Sequence, residues 1–392
     1  MIRVLKKRLR FRLLRQGGFL LAILSASCLL QGCWDEVDLQ DVSYVSAIGV
    51  DYREGSFIIY AQMIKFSKVA KTDSPQPDPS PVWIGTGKGD TVMLAMQNLT
   101  RGGQAQMNIE HLKTLVIQER ATSKMNEILD GMNRQRTSRY TVWVFGTKGP
   151  IEEVFTTDSF FDQSPLNSIA YTPLPHEEQY SFIRPREMQL AVQSLKEPAM
   201  TTTLPVLEVS EAIWKHGSKP LKTQTISGIF VFKELEYKKY MPEGLVKGLR
   251  WVDPHFDNFM LRAESVNGKA TVAIRSASKK LKATFKEGQP QFAMTVRLEG
   301  DVTELAGNMK MGEIEGIIAA QVKQEIESTY KKGLENELDL YELGHHLYRY
   351  HLAKWRLLDA KGNWLPREDQ LKVKVTYNLR HSGKFELSGE NK

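Results

Sequence analysis

The chain reads as an α+β protein: three mixed α/β domains built on largely antiparallel sheets, with a long helix in the C-terminal domain. Three observations predict this. Short runs rich in β-branched and aromatic residues recur along the chain, bounded by Gly, Pro, Asp and Ser. Helical spacings fall among those runs, so the two element types are mixed. In the last third, apolar residues stand every four positions from Ile314 to Leu338, which takes one long helix to accommodate.

The order of elements starts with a segment that does not belong to the fold. Residues 1–16 carry seven basic side chains and no acidic one, and Gly17-Gly18 leads into an apolar run from Phe19 to Leu30. A spanning helix needs roughly 20 apolar residues, so this run is too short to cross. A basic stretch, a short apolar run and small residues make an export signal. It ends in "LLQGC", which resembles a bacterial lipobox, with Leu30 three residues before Cys33 and Gly32 at the cut. Cleavage after Gly32 would leave Cys33 as the first residue, carrying an S-diacylglycerol group and open to N-acylation. Gln31 departs from the small or β-branched residue usual at its position. The rivals are an ordinary signal-peptidase cut near Ser27 and an uncleaved anchor. A Cys28–Cys33 metal clip lacks two further ligands. With Cys28 removed and Cys33 lipidated, the mature chain holds no free thiol, and its core must be large enough to stand without disulfides.

The signal also explains the charge. The chain has 53 Lys and Arg against 46 Asp and Glu, and seven of those basic groups lie in residues 1–32. The mature chain is therefore formally neutral. Net charge gives no reason to expect nucleic acid or anionic lipid as a partner, and membrane attachment falls to the lipid chains. Trp34 either sits at the headgroup level beside the anchor or simply begins the folded chain.

Beyond the signal, 1–32, the expected domains are 33–200, a small middle one at 201–255, and 256–392. "DVSYVSAIGVDY", the turn "REGS" and "FIIYAQMIKF" read as an antiparallel hairpin. "KTDSPQPDPSP", with four prolines, is a surface loop. "VWIGTGKGD" leads to a helix over "TVMLAMQNLTRG", with Asp90 as its expected N-cap. "HLKTLVIQER" and "RYTVWVFG" are strands, and Met125, Ile128, Leu129 and Met132 mark a helix between them. A further helix starts after Pro185. "TTTLPVLEVSEAI" is strand-like, and "TISGIFVFKELEYKKYMPEGLVKGLRWV" holds two strands around a connection.

The last domain opens with several alternating strands across "ATVAIRSASKKLKATFKEGQPQFAMTVRLEGDVTEL". In the long helix each i+4 step advances about 40°. Its apolar stripe drifts, so the helix either bends near Gly333 or meets different partners along its length. The face from Ile314 to Leu338 is read first as core and second as an interface. In "DLYELGHHLYRYHLAKW", Asp339 as N-cap and Glu342 three later suggest a capping box, with Leu340, Leu343, Leu347 and Trp355 on the apolar face. "LKVKVTYNLRHSG" alternates as a half-buried antiparallel strand, with Val373, Val375, Tyr377 and Leu379 inward.

Catalytic and cofactor signatures are missing from this pattern. "GTGKGD" lacks the G-x-x-x-x-G-K-[ST] spacing of a phosphate loop and reads as a turn at a helix start. His345, His346 and His351 share a helix without the i,i+4 spacing of a chelating pair, so solvated or interfacial histidines are the better reading. No G-x-S-x-G and no cysteine nucleophile is present. A glycosidase pair meets in space and not in sequence, so the linear pattern leaves that reading open. The expectation is a chain with no catalytic residue, no metal and no cofactor.

"GCWDEVDLQDVSYVSAIGVDY" running straight out of a lipobox resembles the start of the Ger(x)C family, the lipoprotein C-subunits of spore-germination nutrient receptors in Bacillus-type bacteria. The likeness includes Cys33, Trp34 and Asp35, the strand closing on Gly49 and Asp51, "HLKTLVIQE", the approach to "YTVWVFG", and "GIFVFKE". It is strongest at Asp339, Gly344 and Trp355 and ends near Gly383. The Pro-rich insert, Gln31, Glu342 and "HLAK" before Trp355 depart from the pattern. The resemblance implies a three-domain, non-enzymatic lipoprotein on the outer face of the cell membrane, in the spore the inner one. It implies integral-membrane A- and B-type receptor subunits as partners. The competing functions are an envelope-anchored cell-wall hydrolase and the solute-binding lipoprotein of a transporter.

Overall fold

The computed structural model describes residues 42–63, 82–104, 106–134, 140–158, 160–162, 164–360 and 362–381. The signal, Cys33, Trp34, the Pro-rich stretch and Gly383 lie outside them. Strand β1 (Val42–Arg53) turns at Glu54-Gly55 into β2 (Ser56–Met63), and the two pair antiparallel. Both turn residues have positive φ, 50° and 77°, the two-residue turn whose twist matches that of the strands.

Strand β3 (Trp83–Gly89) pairs with β2, and α1 (Val92–Thr100) folds back over it. Glycine makes that contact possible: a Cβ on Gly87 would stand 2.2 Å from the Ala95 carbonyl oxygen, and one on Gly89 2.4 Å from the Ala95 nitrogen. "GTGKGD" is thus mostly strand. The α1 cap is Thr91 and not Asp90, because the helix starts one residue later and the Thr91 hydroxyl reaches the Leu94 N–H at 3.2 Å.

The chain continues through β4 (Gln106–Asn108), β5 (Thr114–Gln118), α2 (Met125–Asn133), β6 (Trp143–Thr147), α3 (Ile151–Phe155), α4 (Leu174–Gln179), β7 (Arg186–Glu187) and α5 (Met188–Lys196). Three long strands follow, β8 (Thr201–His216), β9 (Lys219–Lys233) and β10 (Glu236–Pro242). All belong to one ten-stranded sheet ordered β10-β9-β8-β6-β5-β1-β2-β3, with β4 on β1 and β7 on β6. The strands of the 201–255 stretch extend the sheet begun at residue 42. Its middle, β1-β5-β6-β8, is parallel, and both flanks are antiparallel.

Parallel strands covered on both faces read as unbroken apolar runs. All five residues of β5, "TLVIQ", are buried. One face carries Ile48, Val50, Leu115 and Val144 against α1, α2 and α5; the other carries Ala47, Val116 and Phe145 against α3.

The second sheet is ordered β11 (Phe259–Ser265), β12 (Gly268–Lys286), β13 (Gln289–Gly307), β14 (Leu371–His381). Between β13 and β14 run α6 (Met311–Glu335), α7 (Leu343–Tyr350) and α8 (Leu352–Leu358). β14 pairs parallel to β13, not antiparallel. Alternation reports which face is buried but not strand direction, and a helical crossover returns the chain to the same end of the sheet.

The 25 residues of α6 form one helix, and Ile314, Ile318, Val322, Ile326 and Tyr330 are all buried. The drifting stripe reflects a change of partner. Glu315 accepts from the Leu379 N–H of β14 at 2.9 Å, Glu325 accepts from the Trp251 indole at 2.7 Å, and the Tyr330 hydroxyl donates to the Arg367 carbonyl at 2.7 Å. This face is core. The apolar cluster it joins runs on into Ile229, Val231 and Met241 of the first sheet.

Candidate functional site

The predicted site residue, Cys33, lies outside the described residues, as does Gly32. Four polar constellations stand out among the described residues, and sequence reading singled out members of three of them: Asp51, His345 and Asp339.

The first stands at the C-terminal ends of the parallel strands. Asp51 leaves β1 almost fully buried and accepts from Arg53 Nε at 2.6 Å, Arg120 Nη2 at 2.8 Å and the Tyr52 N–H at 2.8 Å. Burial pushes its carboxyl up, but the hydrogen bonds from Arg120, Arg53 and Tyr52 outweigh burial and hold it below the usual range. Gln118 positions Arg120 by accepting its N–H at 2.7 Å and donates to the Lys148 carbonyl at 3.1 Å. Beside this network a cleft of about 360 Å³ opens between β6 and β8, with the Lys148 ammonium 4.3 Å from the centre of the Tyr240 ring.

The second lies where α4 meets the segment 247–252. The Arg250 guanidinium is 1 % exposed, stacks 3.7 Å over the Phe259 ring and donates to Glu243 at 2.7 Å. Glu177 accepts from the Phe182 N–H at 3.1 Å, and burial pushes its carboxyl up to about 8. Arg250 Nη1, Glu177 Oε2 and His176 Nδ1 have no hydrogen-bond partner among the described residues. A charged residue inside "GLRWV" was the available signal, since Arg is rarely buried without a stacked or ionic partner.

The third is a cleft of about 380 Å³ between α5, β8 and α7, lined by Arg184, Arg186, Arg349, His345, Glu197 and Asp253 among others. Of the three histidines, His345 lines this cleft, and His346 and His351 lie outside it. His345 Nδ1 lies 3.3 Å from the Pro198 carbonyl, while the His346 ring packs on Tyr350 at 4.9 Å and stands 6.3 Å from His351. No three His, Cys, Asp or Glu side chains among the described residues converge to hold a metal ion.

The fourth is Asp339. The start of α7 is Leu343, and Glu342 before it has φ +57° and makes no side-chain cap bond. Asp339 is therefore not the N-cap of a capping box. It reaches over from three residues further out, accepting from the Gly344 N–H at 2.6 Å. Gly344 leaves room for Trp355, whose ring would stand 3.2 Å from an added Cβ. Burial pushes the Asp339 carboxyl up to about 6, against backbone hydrogen bonds that pull it down. This is the triad Asp339, Gly344, Trp355 of the resemblance, and its role is to anchor α7 and α8.

None of these constellations sets a nucleophile beside a base. No helix among the described residues is long and apolar enough to cross a membrane.

Comparison with known proteins gives one answer throughout. Residues 35–209 match the model of the spore germination protein N-terminal domain, and residues 227–383 match that of the spore germination B3/GerAC-like C-terminal domain. The gap between them is the outer part of the β8–β9 hairpin. Spore germination protein KC of Bacillus subtilis is 25% identical over 385 residues, covering 91% of this chain and 93% of the relative. Spore germination protein A3 of the same organism is 20% identical, covering 73% and 74%. The crystal structure of the GerBC protein superposes with a TM-score of 0.54 at 15% identity, covering 87% of this chain and 99% of that one.

Proposed function

Because this chain belongs to the GerAC-like family of spore germination proteins, we propose that it is a non-catalytic, lipid-anchored subunit of a spore-germination nutrient receptor. The observation that carries the reading is the order of parts: a basic signal, Cys33 in a lipobox-like context, and then both family domains in sequence over most of the remaining chain. Signal removal after Gly32 and diacylglycerol on Cys33 would fix the body to the outer face of the membrane. Its receptor partners would be integral-membrane A- and B-type subunits. The Asp51, Arg250 and Asp339 clusters each hold elements together, which agrees with a non-catalytic role.

Two measurements test this. Mass spectrometry of the mature N-terminus from a Gram-positive host should find a diacylglycerol-modified Cys33, and Cys33→Ala should remain unprocessed or leave the membrane. An unmodified Cys33, or cleavage near Ser27, overturns the anchor. Deleting the gene, in a strain without paralogues, should slow germination on at least one nutrient; normal germination on every nutrient overturns the receptor role.

A further inference from the structure

The mature chain is neutral in total, but its charge is not evenly spread. One face of the second sheet is covered by α6 and the apolar cluster around it; the other is open. Along β12, β13 and β14 the open face takes every second residue. Register places Lys280, Thr295 and Lys374 in one row and Lys282, Ala293 and Lys372 in the next. Arg297 stands in the row above, between Ser278 and Thr376, and Lys286 stands toward the hairpin end, opposite Gln289. All six basic residues are exposed, and among the described residues none forms an ion pair. Strand spacing sets the four central lysines at the corners of a rectangle of about 10 by 7 Å.

The opposite end of the same face is built differently. There Glu264 pairs with Arg262 and Lys269, Asp301 with Arg275, and Glu299 with Arg380. Charges are interleaved at one end and segregated at the other. Near the cationic end the acids are Glu287, in the β12–β13 turn, and Glu368 and Asp369 just before β14, which pair with Lys331 and Arg367. Six unpaired cations on one flat patch repel each other, and an anionic surface laid against them relieves that repulsion.

We propose that this open face of β12, β13 and β14 docks on the anionic phospholipid headgroups of the membrane surface. The patch is flat, and between its cations it carries Ala293, Thr295, Gln291, Ser278, Thr284 and Thr376. It has no large apolar anchor of the kind that dominates protein–protein interfaces. Five of its six cations are lysines, flexible point charges suited to many phosphates and not to one planar acid. Eight residues lie between Cys33 and Val42, the first residue of β1, a tether of at most about 30 Å that would hold the body close to the membrane. That last argument rests on the lipid anchor proposed above; the charge pattern does not.

The test uses residues 34–392, which contain every described element and all three apolar cores, so the lipid plays no part. Co-sedimentation is measured with vesicles of phosphatidylcholine alone and with one-third phosphatidylglycerol. Binding to the anionic vesicles only is expected, and raised salt should remove it. Lys280, Lys282, Lys372 and Lys374 changed together to Gln should weaken binding about fivefold per lysine, several hundredfold in all. A charge-matched control, Lys215, Lys219, Lys222 and Lys239 to Gln, should bind as the parent does. No preference for anionic vesicles, or an equal loss in the two quartets, overturns the proposal. So does capture by polyglutamate without capture by vesicles, which would assign the patch to an acidic protein. A failed anchor would show in the mass of Cys33 and leave this assay unchanged.

Discussion

The two sheets solve the same problem in opposite ways. The ten-stranded sheet covers both faces of its parallel centre and keeps the deeply buried Asp51 charged by giving it two guanidiniums. The four-stranded sheet covers one face, leaves the other to solvent, and the helices beside it bury Asp339 with backbone N–H groups alone. Cations that the fold brings to a buried carboxylate keep it ionised to lower pH. Where it does not, the carboxyl keeps its proton to higher pH, up to about 6 for Asp339.

The largest test of this contrast is Arg120→Ala. It leaves Asp51 with Arg53 and the Tyr52 N–H, and because the Arg120 side chain is half exposed the loss in urea unfolding should be about 2–3 kcal/mol. Asp51→Ala added to it should recover part of the loss, and a full additive loss would break the pairing argument.

The two aspartates should also respond to pH with opposite sign. Asp51 is held below its usual value, so its stabilisation is present above that value and is lost as pH falls through the folded one. Asp339 rises from 3.8 to about 6. Its unfolded form ionises first, so stability falls as pH climbs from about 4 to about 6, by roughly 2–3 kcal/mol. Asp339→Asn keeps an acceptor for Gly344 and should flatten that part of the curve. Parallel curves for parent and variant would show that Asp339 ionises freely in the fold.

Next in size is Gly87→Ala, which drives a methyl group into the α1 backbone and should cost about 1–3 kcal/mol by thermal or urea melts. The smallest effect belongs to the open face. Changing Lys280, Lys282, Lys372 and Lys374 to Gln should move stability by less than about 0.5 kcal/mol per site, with relief of repulsion favouring the variant. A large loss would mean that these lysines hold the sheet together.

Legibility differed between the sheets for physical reasons. β14 announced its buried face because only one side is covered, and alternation survives in "LKVKVTYNLR". Its parallel direction was hidden, because direction is set by the helices between β13 and β14 and not by the strand. The helix at Met125, Ile128, Leu129 and Met132 was plain from its spacing. Asp51 and Arg120 are 69 residues apart, and nothing local joins them. The cap at Asp90 failed by one residue and the one at Asp339 by three, since both Asp and Thr suit a cap and only the backbone chooses. Net neutrality concealed the basic face, which exists only once β12 and β14 are laid on either side of β13. Among the site residues, the Asp339, Gly344 and Trp355 triad was visible by resemblance, while Arg250 and Glu177 were not seen at all.

The parallel docking of β14 has a consequence for how the protein is made. Leu371 pairs with Phe292, 79 positions earlier, so the second sheet stays unfinished until the chain has been made through β14. Until then β13 is an open edge, able to recruit a strand from any neighbouring chain. A message truncated between β13 and Leu371 would leave that edge bare. Loss of β14 thus turns the inner strand β13 into an adhesive edge.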